Sequence, residues 1–243
     1  MIKIITEGND FLKDCGVTYA FCGGHALELF INKKLRSHSD VDITAFEEDK
    51  NDIIEFILNN NWNVYENKSD WDMTEHKVTN NYLRSILNSN DENISKLHSV
   101  WAIKPDCSFF KIDPRSGCDN IFDYEILSNE QLYFDFFEII FNKQKDGNFV
   151  IDSFSSQNKN ITRDITKAIL YNGNIPYLAP EIILFIISHP EYLKSDYHRE
   201  KNKIDFNAVT PFLPKESRDW LINALETTYP EGLERLGQLK KWI

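Results

Sequence analysis

The sequence predicts an α+β fold: a mixed β-sheet with flanking helices, followed by a C-terminal helical lobe. Three observations lead there. β-prone runs alternate with amphipathic stretches through the first part of the chain. Beyond about residue 160 the apolar positions recur at helical spacing alone, which separates a helical lobe from a mixed one. The 243 residues are 42% apolar and 27% charged. That is an ordinary globular composition, and the length suffices for a core without disulfides or metals.

Taken in order, a short helix is expected over 10–15. A β-prone run over 17–22 ends at Gly23-Gly24. Ala26, Leu27, Phe30 and Ile31 then share a helical face, with Glu28, Lys33 and Lys34 outside it. Residues 40–46 alternate polar and apolar and read as a strand, and 52–60 read as a helix. Further strands are expected over 99–103, 108–112, 132–141 and 148–151. Pro180 suits an early helical position and opens a helix to 188. More helices follow over 203–212, 215–228 and 231–241. The domains expected are 1–160 (α+β) and 161–243 (helical).

Net charge is −11, from 27 basic and 38 acidic residues. Residues 1–150 hold 15 basic and 26 acidic side chains, so the whole surplus lies there. A general nucleic-acid binder needs a basic footprint, and this balance argues against one. It is compatible with a metal held between the protein and a phosphate. The four cysteines, at 15, 22, 107 and 118, form no Cys-x-x-Cys pair. Free thiols fit a cytoplasmic setting. The longest aliphatic or aromatic run, 182–187, is far too short to span a membrane.

The informative stretch runs from Phe21 to Ile43. Gly23-Gly24 stands between a strand and a helix, where glycines admit a ligand to the backbone and the helix start offers N–H groups to phosphate oxygens. Asp40 and Asp42 stand two apart on the expected strand and so point to one face, with Val41 and Ile43 on the other. Two carboxylates on one face call for a cation, and Mg²⁺ suits them because it completes its shell with water and phosphate oxygens. Arg36 and His38, just upstream, offer donors to a polyphosphate. Each feature alone is common; their order and spacing together are specific.

This ordered set resembles the nucleotidyltransferase superfamily with the DNA polymerase β-like fold. Within it the set is most similar to the bacterial aminoglycoside and lincosamide nucleotidyltransferases. The matching residues are Gly23, Gly24, Ala26 and Leu27, then Arg36, His38, Asp40, Asp42 and Ile43. The stretch from Pro176 to Glu181, the Lys201 to Phe206 stretch, and Trp220-Leu221 with Ala224-Leu225 resemble later family segments. The chain departs from the pattern in an apparent insertion over 103–131, in Ile186-Ile187 where the family often has Lys, and at Asn202 where it has Asp.

The resemblance implies a nucleotidyltransferase-like mixed sheet and a metal-dependent enzyme. It would move a nucleoside monophosphate, AMP from ATP, to a hydroxyl of a small molecule, with a cationic acceptor of the aminoglycoside type as the example. Two Mg²⁺ ions and ATP are the implied cofactor and co-substrate. Asp40 and Asp42 would bind metal with a third acid from a neighbouring strand: Asp135 first, with Glu138 and Asp113 as alternatives. Gly23, Gly24, Arg36, His38 and Lys201 would face the nucleotide. The rival readings are a nucleotidyltransferase acting on a protein or RNA, and a non-catalytic nucleotide-binding protein on the same scaffold.

Overall fold

A computed structural model describes residues 2–66, 77–78, 99–105, 130–151, 160–190 and 196–242. The chain divides into two units, Met1–Phe21 with Ser37–Asn142 and Cys22–Arg36 with Lys143–Ile243. This division differs from a single boundary near 160. The helix that follows Gly23-Gly24 groups with the C-terminal residues, as does everything from Lys143 onward. The expected strand over 108–112, Asp113, Cys107, Cys118 and most of the 103–131 segment lie outside the described residues. No helix among the described residues is long and apolar enough to cross a membrane.

The first unit opens with α1 (Ile2–Leu12), a longer helix than the 10–15 expected. Its buried face is Ile4, Ile5, Asn9 and Leu12. The buried Asn9 hid that face from an apolar count, because its side chain accepts a hydrogen bond from the Tyr19 hydroxyl at 3.0 Å. Strand β1 (Tyr19–Phe21) pairs antiparallel with β2 (Asp42–Phe46). Helix α3 (Lys50–Asn59) buries Ile53, Ile54 and Ile57. Strands β3 (Asn63–Glu66), β4 (Lys77–Val78), β5 (Ser99–Ile103) and β6 (Phe136–Lys145) complete a sheet ordered β4-β3-β5-β6-β2-β1. The β2–β6 pairing is parallel and the other neighbours are antiparallel.

One face of this sheet is sealed. Val41, Ile43, Val100, Ala102, Phe137 and Ile139 are fully buried. Phe11 of α1 packs against Phe137, Trp62 and Phe56 at 6.2, 4.7 and 5.4 Å between ring centroids. Phe134 stacks on Phe137 at 4.9 Å. The strand expected over 132–141 begins only at Phe136, because the Asp135 N–H donates to the Tyr133 carbonyl in a tight turn at 2.9 Å. That turn breaks the period-2 alternation and puts Phe134 and Phe137 in one cluster.

The second unit is built around α2 (Gly23–Ile31), which packs on α5 (Pro180–Ile186) and α6 (Asp196–Val209). The end of β6 turns at Asp146-Gly147 into β7 (Asn148–Ile151), and β7 pairs with β8 (Ile161–Asp164). Asp146 and Gly147 take φ of 51° and 75°, the left-handed geometry of a two-residue hairpin loop. A short helix α4 (Ile165–Ala168) leads into a hairpin of β9 (Ile169–Asn172) and β10 (Ile175–Leu178). Helices α7 (Lys215–Thr228) and α8 (Glu234–Leu239) follow.

Strands after residue 160 correct the expectation of helices alone. The β8 pattern was masked because Arg163 occupies a buried strand position. Its guanidinium donates to Glu181 Oε1 at 2.6 Å and lies over the Trp220 ring. Ser217 Oγ donates to the same carboxylate oxygen at 2.9 Å. Lys167 and Glu216 pair at the rim of this network.

Two stability predictions follow from this packing. An alanine Cβ at Gly8 would stand 2.7 Å from Phe134 and 3.1 Å from Phe21. Overpacking costs about 1–3 kcal/mol, which outweighs the ~1 kcal/mol that alanine gains over glycine in a helix. Gly8→Ala is therefore expected to lower the urea midpoint; a raised midpoint would mean that the Phe134 ring swings aside freely. Glu181→Ala removes the buried partner of Arg163, whose side chain is only 8% exposed, leaves it the exposed Glu216 at 3.7 Å, and is expected to cost about 3 kcal/mol in chemical denaturation. Glu216→Ala, at the exposed rim, is expected to leave the midpoint nearly unchanged.

Candidate active site

In the first unit the backbone register gathers acids on the half-open face of the sheet. Val41 and Ile43 are fully buried, while Asp40 and Asp42 are half-buried. Asp42 therefore lies on the side opposite Ile43, and Asp40 stands two residues ahead of it. Strand β2 begins at Asp42 rather than Asp40, but the ladder reaches further back: the Glu138 N–H donates to the Val41 carbonyl at 3.0 Å. Asp42 stands directly beside Glu138 in the parallel pairing, and register partners point to the same face. Further along that face, Asn142 Nδ2 donates to Thr44 Oγ1 at 2.7 Å.

Asp135 is placed elsewhere. It precedes β6 and stands three positions before Glu138. Lys104 donates to its carboxylate at 2.9 Å in a pair that continues the β5–β6 ladder. The acid that sequence reasoning put first thus has a lysine partner in the turn before the strand. The alternative, Glu138, holds the position next to Asp42.

The segment that leads to Asp40 is pinned to the entry of β6. The Gln131 N–H donates to the His38 carbonyl at 2.7 Å. The buried Gln131 amide donates to the Tyr133 and Phe136 carbonyls, each at 2.9 Å. Gln131 carried no sequence signal, since a glutamine in an irregular segment has no periodicity to betray it. His38 itself is 5% exposed. Its ring is a buried group rather than one displayed to solvent.

The donor set suits a hard divalent cation: oxygen ligands only, from half-exposed side chains, with room for water and phosphate oxygens to complete the shell. Among the described residues the oxygens of Asp40, Asp42 and Glu138 do not all lie within 4.8 Å of one another. The set is one that a cation draws together by side-chain rotation. Neighbouring strands stand about 4.8 Å apart and same-face residues of one strand about 7 Å, distances that carboxylate side chains can close.

In the second unit Gly23 and Gly24 form the first turn of α2. Gly23 adopts φ 59°, a conformation that favours glycine, and Cys22 is extended. Lys33 and Lys34 are exposed as expected, but Glu28 is fully buried, not outside the apolar face. The reason is local: its carboxylate accepts the backbone N–H groups of Leu35 and Arg36 at 2.6 and 3.2 Å. His25 Nδ1 lies 4.0 Å from the same carboxylate.

The Arg36 guanidinium meets Asp205 on α6. Nε donates to Oδ1 at 3.0 Å and Nη2 donates to Oδ2 at 2.9 Å. Asp205 is 2% exposed. Lys201 lies one turn earlier on α6 and is half-buried. Sequence reasoning had noted Asp205 only as part of a resemblance. A buried aspartate in a helix with many charges was the available sign that it holds a cation.

The family comparison covers the motif stretch. The family model described as aminoglycoside-2''-adenylyltransferase matches residues 5–96. No curated protein matches the chain. Among solved structures, the chain is similar to the lincomycin-bound lincosamide antibiotic adenylyltransferase LnuA, with 12% identity and a TM-score of 0.44 over 81% of this chain and 90% of that one. It is also similar to the antibiotic-resistance factor ANT(2'')-Ia, with 11% identity and a TM-score of 0.47 over 94% and 92%. The matched family stretch contains Gly23, Gly24, Arg36, His38, Asp40 and Asp42.

Proposed function

We propose that this chain is an adenylyltransferase that moves AMP from ATP to a hydroxyl of a small, antibiotic-like acceptor. The observation that carries the reading is the pair of Asp42 and Glu138 side by side in register, with Asp40 two residues ahead of Asp42. The family match over 5–96 supports the same chemistry.

In this reaction an acceptor oxygen attacks the α-phosphorus. The bond from that phosphorus to the bridging oxygen breaks, and pyrophosphate leaves. Asp40, Asp42 and Glu138 would hold Mg²⁺, which when bound neutralises the triphosphate and stabilises the attacking and leaving oxygens. The N–H groups at the Gly23-Gly24 turn would receive phosphate oxygens. Glu138 takes the place of Asp135 as the third acid in this proposal, because Glu138 stands beside Asp42 in register. Lys201 is retained as a candidate nucleotide contact. The buried ring of His38 weighs against a direct contact there. The acidic first part of the chain favours a cationic acceptor over RNA.

The test is pyrophosphate release from ATP in the presence of aminoglycosides and lincosamides. Asp40→Asn, Asp42→Asn and Glu138→Gln are each expected to lower the rate about 100-fold or more, with the unfolding midpoint close to wild type. Asp135→Asn is expected to retain activity. The reverse pattern between positions 135 and 138 would return the third-acid role to Asp135, and full activity in Asp42→Asn would end the reading. Chelation with EDTA is expected to abolish release, and added Mg²⁺ to restore it. Persistent activity in EDTA would remove the cation from the proposal.

A further inference from the structure

The second unit contains a set of buried polar contacts that nucleotide chemistry does not account for. Glu28 of α2, fully buried, receives the N–H groups of Leu35 and Arg36. The Arg36 side chain then sets its fork on Asp205 of α6, in a matched pair of 3.0 and 2.9 Å contacts. The Arg36 side chain is 15% exposed and that of Asp205 is 3% exposed. Residue 36 is therefore held twice, by its backbone to α2 and by its side chain to α6.

A carboxylate as buried as Asp205 needs cations close by; Arg36 meets it through a bidentate fork, and Arg235 lies within electrostatic reach of it. Turning the Arg36 fork to a phosphate would give up both of those hydrogen bonds. The planar guanidinium fits a carboxylate through two parallel bonds, and a lysine does not reproduce that geometry. Arg36 is also where the chain passes from the second unit into the segment that carries Asp40 and Asp42, with only Ser37, His38 and Ser39 between.

We propose that Arg36 is a positioning residue, locked by Glu28 and Asp205 to anchor the segment that enters the Asp-x-Asp motif, and is not a ligand of the nucleotide phosphates. The catalytic consequence rests on the adenylyl-transfer reading. Small displacements of reacting groups can cost about 100-fold in rate, so an unanchored segment slows chemistry without weakening nucleotide binding.

The experiment uses the full chain with Arg36→Lys, Arg36→Gln, Asp205→Asn and the double variant Arg36→Gln/Asp205→Asn. It reads kcat, KM for ATP, and the urea unfolding midpoint. Arg36→Lys and Asp205→Asn are each expected to lower kcat about tenfold or more, with KM for ATP unchanged. The double variant is expected to be no slower than the slower single, since both remove one interaction.

A phosphate ligand would behave differently. Arg36→Gln would raise KM for ATP, Arg36→Lys would keep much of the rate, and Asp205→Asn would resemble wild type; that pattern overturns the proposal. If Arg36→Gln fails to fold, Arg36→Lys and Asp205→Asn carry the kinetic comparison. If wild type transfers AMP to no acceptor, the adenylyl-transfer reading fails by itself, and the unfolding cycle judges the lock. Non-additive losses of stability then sustain it, and additive losses overturn it.

Discussion

The parallel pairing of β2 with β6 is the constraint on which the candidate site depends. A parallel neighbour in fixed register places side chains from distant parts of the sequence on one face, as it does for Asp42 and Glu138. The register in turn rests on burial. Ile43, Ile139, Val41 and Phe137 are fully buried on the other face, and a slip of one residue would turn Asp42 and Glu138 onto that buried face. The apolar face thus specifies where the acids stand. The backbone bonds from Glu138 to Val41 and from Gln131 to His38 extend that control past the end of the strand.

The second unit solves a different problem. Its central helix, α2, contacts α5 and α6, so little of its circumference faces water. Glu28 and His25 on that helix are consequently buried. A buried carboxylate is tolerated only with donors supplied by the fold. Glu28 finds them in the connection that follows its own helix, Asp205 in Arg36, and Glu181 in Arg163 and Ser217. In each case the two partners come from different elements. The pairs therefore specify which elements meet as well as offsetting the cost of burial.

Much of this was legible in the sequence where apolar periodicity governs. Strands at 99–103 and 148–151 and the helix over 215–228 stand where their patterns predict. The strand through Asp42 to Phe46 was legible because period-2 geometry needs no tertiary information. What escaped was charge or amide groups in buried positions. Arg163 made β8 read as non-strand, Asn9 shortened α1, and Glu28 was assigned to the outer face of α2. The Gly173-Asn174 pair that turns β9 into β10 was a usable signal that went unread. The choice between Asp135 and Glu138 turned on a single bend at 133–135, which no count of alternating residues reveals.

Solvent access separates the acids that build this protein from those proposed to act. Asp205 and Glu181 are each at most 2% exposed and each is held by an arginine of the same unit. A pair of that kind is a closed structure, since separating it would leave charge buried. Asp40, Asp42 and Glu138 are half-buried on a face built by register. Carboxylates there can exchange partners, because water stabilises each charge while a ligand comes and goes. A divalent cation with a triphosphate needs that property: it must bind firmly enough to be positioned and leave with the product. On this ground the same residue type reads as scaffold at position 205 and as chemistry at position 42. Arg36, although it belongs to the motif, falls on the scaffold side with its partner.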